Sequence, residues 1–256
     1  MERKEYISHD VPVVWSHIQT EQVSEALGRP CGQYITLKTG PLDKLIFFEN
    51  VCSCLVEQLQ PLLAPYFGKT LCVCGLGNQD LAPDALGPEV ARRFRPKMFE
   101  SFVKKSRFGK IAMICPGTNG CTNLSTVEII AGIVNTIHAA CVLVVDASYC
   151  GDVEDLCGMI CLTDSGLHSY WDTVDLRQSS VGVPVITIGV PTATRAPVEP
   201  GAESGDPELL LTPINVSDII QTTSSIIACA IAQIAYPELD YESCKQYIGF
   251  TLNNII

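Results

Sequence analysis

The stretch from Leu71 to Pro88, LCVCGLGNQDLAPDALGP, constrains this chain more than any other. Leu71-Cys72-Val73-Cys74 is a short apolar run of the length of a buried parallel strand. Gly75-Leu76-Gly77-Asn78 breaks that strand and lets the backbone turn tightly. After a polar loop, Pro83-Asp84-Ala85-Leu86-Gly87-Pro88 reads as the opening of a helix. A parallel strand, a glycine turn and a helix thus follow in this order. They place Asp84 at the carboxyl edge of a parallel sheet, where open α/β sheets bind ligands.

Two glycines after a strand invite a nucleotide reading, and the residues do not support it. A dinucleotide fingerprint needs G-x-G-x-x-G running into a helix. Here the third glycine is missing and an acid stands where phosphate would approach. The formal net charge of -11 disfavours nucleic acid, whose phosphates an acidic chain repels. A basic protein substrate fits better.

The 256 residues, 47% of them hydrophobic, suffice for a sizeable core and predict a single domain over 1–256. The N-terminal MERKEYISHD is charged and does not read as a signal peptide, and no apolar run reads as a membrane span. Thirteen cysteines, many in apolar runs, predict buried free thiols in a reducing cytoplasm rather than disulfides. The C-x-C pairs Cys52/Cys54 and Cys72/Cys74 read as packing, because zinc sites use wider spacing.

Further strands are predicted at Ile111–Ile114, Cys141–Val145, Met159–Leu162 and Val183–Val190. Helical periodicity covers Phe48–Leu63, Ser125–Ile137 and Val216–Ala235, and Ser125 with Glu128 has capping-box spacing. This alternation predicts an α/β three-layer sandwich: a mostly parallel sheet with helices on both faces, phosphorylase/hydrolase-like. Met1 to about Pro30 has weak periodicity and reads as an arm or irregular cap. Residues 196–208 read as an exposed loop.

An aspartate follows three of these strands: Asp84, Asp146 and Asp164. If the ends converge on one rim, the carboxylates repel and can share a proton, which suits acid–base work on water. Joined by His168, the same acids could instead hold a divalent cation through Asp84, Asp146 and His168. The alternative for each aspartate is that of a turn former or helix cap. A cysteine–histidine hydrolase using Cys115 or Cys121 with His168 has no motif behind it.

Several blocks together resemble the bacterial spore germination protease family. They are Gly75–Asn78 with Pro83–Pro88, Pro116 to Ile130, Val144–Ala147, Thr163–His168 and Gly182–Thr192, with a weaker match at Gly32–Leu37. The blocks keep the family's order. A long family segment before the C-terminal helix is nearly absent, while Leu209–Pro213 resembles the family's end. The resemblance implies an atypical aspartic endopeptidase of small acid-soluble spore proteins, with Asp84 and Asp164 as catalytic residues and Asp146, His168 and Asn78 in support. It implies no cofactor, a cytoplasmic location (the spore core if the organism sporulates) and a homo-oligomer. The family shares its fold with hydrogenase maturation proteases, which suggests the metal-recognising alternative; a non-catalytic peptide-binding relative is the other.

Overall fold

The computed structural model describes residues 1–42, 48–118, 123–168, 174–195 and 210–253. Two strands open the chain, β1 (Glu2–Ser8) and β2 (Val11–Ile18). His9 and Asp10 join them with φ of 50° and 62°, and a two-residue hairpin with both central φ positive matches the natural strand twist. Helix α1 (Glu21–Leu27) starts at Thr20, whose side chain accepts the Val23 N–H, and stops at Gly28 in the left-handed region. Strand β3 (Gly32–Lys38) follows. The N-terminal stretch is thus regular sheet and helix, not an arm or irregular cap. Its periodicity is weak because β1 is exposed on both faces along almost all its length, so there is no in–out alternation to read.

The remaining elements are α2 (Phe48–Leu63), β4 (Thr70–Leu76), α3 (Leu86–Arg93), α4 (Pro96–Phe102) and β5 (Lys110–Gly117). Then come α5 (Thr126–Ile137), β6 (Cys141–Cys150), β7 (Met159–Thr163), β8 (Leu167–His168), β9 (Asp175–Leu176) and α6 (Gln178–Val181). The chain closes with β10 (Val185–Arg195), β11 (Leu210–Leu211), α7 (Val216–Ala235) and α8 (Tyr241–Asn253). The Ser125–Glu128 capping box forms at the start of α5. The loop expected at 196–208 lies outside the described residues.

The main sheet runs β1-β2-β3-β7-β10-β6-β4-β5, with β11 paired to β10. Strands β10, β6, β4 and β5 are mutually parallel, and β1, β2, β3 and β7 extend the sheet by antiparallel pairing. Alternation along the central strands splits the core in two. Leu71, Val73, Leu143 and Val145 pack toward α2, α3, α7 and α8. Cys72, Cys74, Val142 and Val144 pack toward α5 and α6. This is the three-layer α/β arrangement expected from the alternating pattern. Helix α7 is long and apolar enough to match a membrane span by length and composition. Fourteen of its residues are buried in this core.

Of the strands expected from the sequence, one breaks the parallel order. β7 runs antiparallel to both β10 and β3. Only residues 151–158 separate it from β6, and a parallel crossover needs a dozen residues or more. All twelve cysteines among the described residues are free thiols.

Candidate active site at the carboxyl edge of the parallel strands

Asp84 is fixed by its own loop. Gly77, after β4, has φ of +120°, and a Cβ there would overlap the Asp84 carbonyl oxygen. The Asn78 amide then donates to Asp84 Oδ2 at 2.8 Å. Asn78 also shapes the turn: its Oδ1 accepts from the Asp80 N–H at 2.9 Å and its carbonyl accepts from the Leu81 N–H. From β10, the Thr192 hydroxyl donates to the Pro83 carbonyl at 2.7 Å. The result is a half-buried Asp84 held from three sides of its loop.

Gly87 carries this loop into α3. A Cβ on Gly87 would collide with the Leu76 carbonyl and lie 2.6 Å from that of Val145. The helix therefore starts wedged against the residue that precedes Asp146. Strand β6, which carries Asp146, lies beside β4, with Gly75 opposite Val145. Standard backbone dimensions then bound the Asp84–Asp146 Cα separation at about 12 Å. Asp146 is half-buried. Its charge helps to push the Cys74 thiol well up, after burial and alongside Cys72 and Cys115.

Asp164 lies elsewhere, and the expectation that three aspartates line one rim is corrected here. Asp146 is opposite Gly189, and Gly189 is opposite Cys161. Because β7 is antiparallel, Asp164 leaves it toward the amino ends of β4, β6 and β10. Counting strand spacings and residue rises puts Asp84 and Asp164 on the order of 20 Å apart. At that edge the Gln33 N–H donates to Asp164 Oδ1 at 2.7 Å and the Gln33 side-chain amide to Oδ2 at 2.9 Å. Asp164 is exposed, tying β3 to the end of β7.

His168 follows Asp164 into the β8–β9 hairpin. Its Nδ1 lies 3.5 Å from Arg177 and 3.9 Å from Asp175. The metal alternative of Asp84, Asp146 and His168 is therefore not assembled. Among the described residues no group of three His, Cys, Asp or Glu could hold a metal ion. Cys115 is exposed on β5, and Cys121 lies outside the described residues.

Gln33 and Thr192 reach their aspartate loops only in the folded chain. Gln33 lies in the weaker matched block Gly32–Leu37, but its partner is 131 positions away, so no local pattern points to the contact. Thr192 sits in a matched block, and the signal was a threonine directly after a strand-end Pro191.

The edge holding Asp84 and Asp146 also has the right topology for a site. The chain leaves β4 toward β5 on one side and leaves β6 toward β7 and β10 on the other, so the strand order reverses between β4 and β6. Divergent connections of this kind open a crevice at the strands' carboxyl ends.

A family model described as germination protease matches residues 1–199. The germination protease of Clostridium tetani is 30% identical over 206 residues, covering 77% of this chain and 64% of the relative. That of Clostridium perfringens is 24% identical over 297 residues, covering 95% and 90%. This chain thus spans less than two thirds of the Clostridium tetani relative. A crystal structure of a [NiFe] hydrogenase maturation protease, HycI, from Thermococcus kodakarensis matches at TM-score 0.39 and 19% identity, over 68% of this chain and 98% of that one. That likeness is too distant to bear on the site. The match over residues 1–199 shows that the chain belongs to the germination protease family.

Proposed function

We propose that this protein is an endopeptidase acting on a protein substrate, with Asp84 and Asp146 as its acid–base pair. The observation that carries the reading is the placement of Asp84. Its loop is fixed by Asn78, Gly77 and Thr192 at the carboxyl edge of β4, next to the strand that carries Asp146. Water attacking a peptide carbonyl needs a base for its proton and an acid for the leaving amine. Two nearby carboxylates can supply both, since repulsion lets them share one proton and separates their apparent pKa values. Asn78 acts as a positioning residue, keeping Asp84 in place through its backbone N–H.

Small acid-soluble spore proteins are the proposed substrate, by family resemblance, and the cytoplasm or spore core the proposed location. The test is cleavage of such a protein by wild type, Asp84→Asn and Asp146→Asn, each checked for folding by circular dichroism. Losses of ~100-fold or more in both folded variants are expected, the scale for removing an acid–base group. Folded variants that cleave at the wild-type rate would end the aspartic reading. A wild type that binds the protein without cleaving it would favour the non-catalytic relative.

A further inference from the structure

Eight of the chain's 17 Lys and Arg fall between Arg92 and Lys110, beside a single acid, Glu100. The rest of the chain carries nine Lys and Arg against 27 Asp and Glu. This basic segment leads into and flanks β5, the last strand of the sheet. Among the described residues, nothing pairs with the outer edge of β5. An unpaired edge presents a row of backbone N–H and C=O groups.

Along that edge runs an open groove of about 460 Å³. Its floor is apolar, with Phe94, Pro96, Met113 and Ile114, and Arg95 and Lys97 stand on its wall. Both cations are exposed, and so are Lys104, Lys105 and Lys110 in the segment leading to the strand. By contrast, Arg92 and Arg93 are held by Glu89.

From this we infer that the β5 edge binds an extended acidic peptide segment as an added strand. Main-chain hydrogen bonds to β5 give affinity, apolar side chains enter the groove, and acidic ones meet Arg95 and Lys97. A duplex nucleic acid fits less well: the groove floor is apolar and the surrounding chain is strongly acidic. The inference rests on charge and the free edge, not on the catalytic pair, and binding is read without turnover.

The test is fluorescence polarisation with a labelled peptide of about ten residues alternating Glu and Val. Its intactness is checked by mass spectrometry. Three comparisons are made on the full chain: the same peptide with Lys for Glu, the Glu peptide N-methylated at alternate amides, and a short duplex DNA. The Glu peptide should bind at least ~10-fold more tightly than each of them. Arg95→Glu with Lys97→Glu should weaken it by a similar factor, and added salt should weaken it too. Should that variant fail to fold, the N-methylated peptide still decides the matter on wild type. Equal binding of Glu and Lys peptides, or no loss on N-methylation, overturns the proposal. Tighter binding of DNA than of the Glu peptide would replace it with a nucleic-acid patch.

Discussion

Gln33 holds Asp164 with two hydrogen bonds, one from its backbone and one from its side-chain amide, at 2.7 and 2.9 Å. Trp15 in turn donates to the Gln33 side-chain oxygen at 3.2 Å, so the amide is oriented by β2 on one side and satisfied by the carboxylate on the other. The pair latches the start of β3 to the end of β7. That use of Asp164 is structural, and it is made at the edge of the sheet opposite Asp84.

Gln33→Ala should therefore lower stability by about 1 kcal/mol, the scale of one hydrogen bond to a partly solvated charge. Thermal unfolding reads this as a fall of about 2 °C or more. Asp164→Asn should keep cleavage within roughly 10-fold of wild type, well short of the loss expected on removing an acid–base group. A collapse of activity in a stable Asp164→Asn protein would return this residue to the catalytic pair.

Gly77→Ala should disturb the site without touching a carboxylate. At φ +120° any side chain is strained, and this one would overlap the Asp84 carbonyl oxygen. A cost of at least about 2 kcal/mol is expected, together with lost cleavage, because the loop must move to relieve the clash. Urea denaturation and the peptidase assay on the folded fraction check the two parts separately.

Glu89 gives the clearest pH dependence. Partial burial pushes its carboxyl up, but hydrogen bonds from Arg92 and from the buried Arg93 outweigh this and hold it below the ordinary value. A depressed carboxyl stabilises the fold above its unfolded pKa, near 4.3, and that contribution is lost as pH falls through the folded value. Glu89→Gln should cost about 3 kcal/mol at pH 7 by leaving Arg93 without its anion. The gap to wild type should narrow below about pH 4. Urea titrations at both pH values test it; a gap that does not change with pH would show that packing, not charge, is responsible.

The thiols should divide into fast and slow classes. Burial pushes Cys54 and Cys72 up to about 11 and Cys141 and Cys229 up to about 12. Since the thiolate is the reactive form, native protein at neutral pH should leave these four unmodified by a maleimide. Among the described thiols, exposed Cys115 should react first, although burial of part of its side chain pushes it up as well. Peptide mapping of labelled protein, native against unfolded, identifies the classes.

The amino-acid sequence by itself determined the central strands, three of the helices and the first half of the site. Apolar periodicity set α2 and α7 at their observed bounds, and Ser125 with Glu128 marked the start of α5. Glycine spacing and Pro83-Asp84 set the loop after β4, because backbone freedom and φ restriction act within a few residues. Strand direction is different: Met159–Thr163 has the same in–out alternation whichever way it runs, so its pattern carries no orientation. Only pairing with β10 and β3 fixed it, and this sent Asp164 and His168 away from Asp84. Pairing likewise decided that Asp146 neighbours the Asp84 loop, that Gln33 meets Asp164 and that, among the described residues, nothing pairs with the outer edge of β5. These relationships join residues tens to more than a hundred positions apart, and only the packed sheet brings them together.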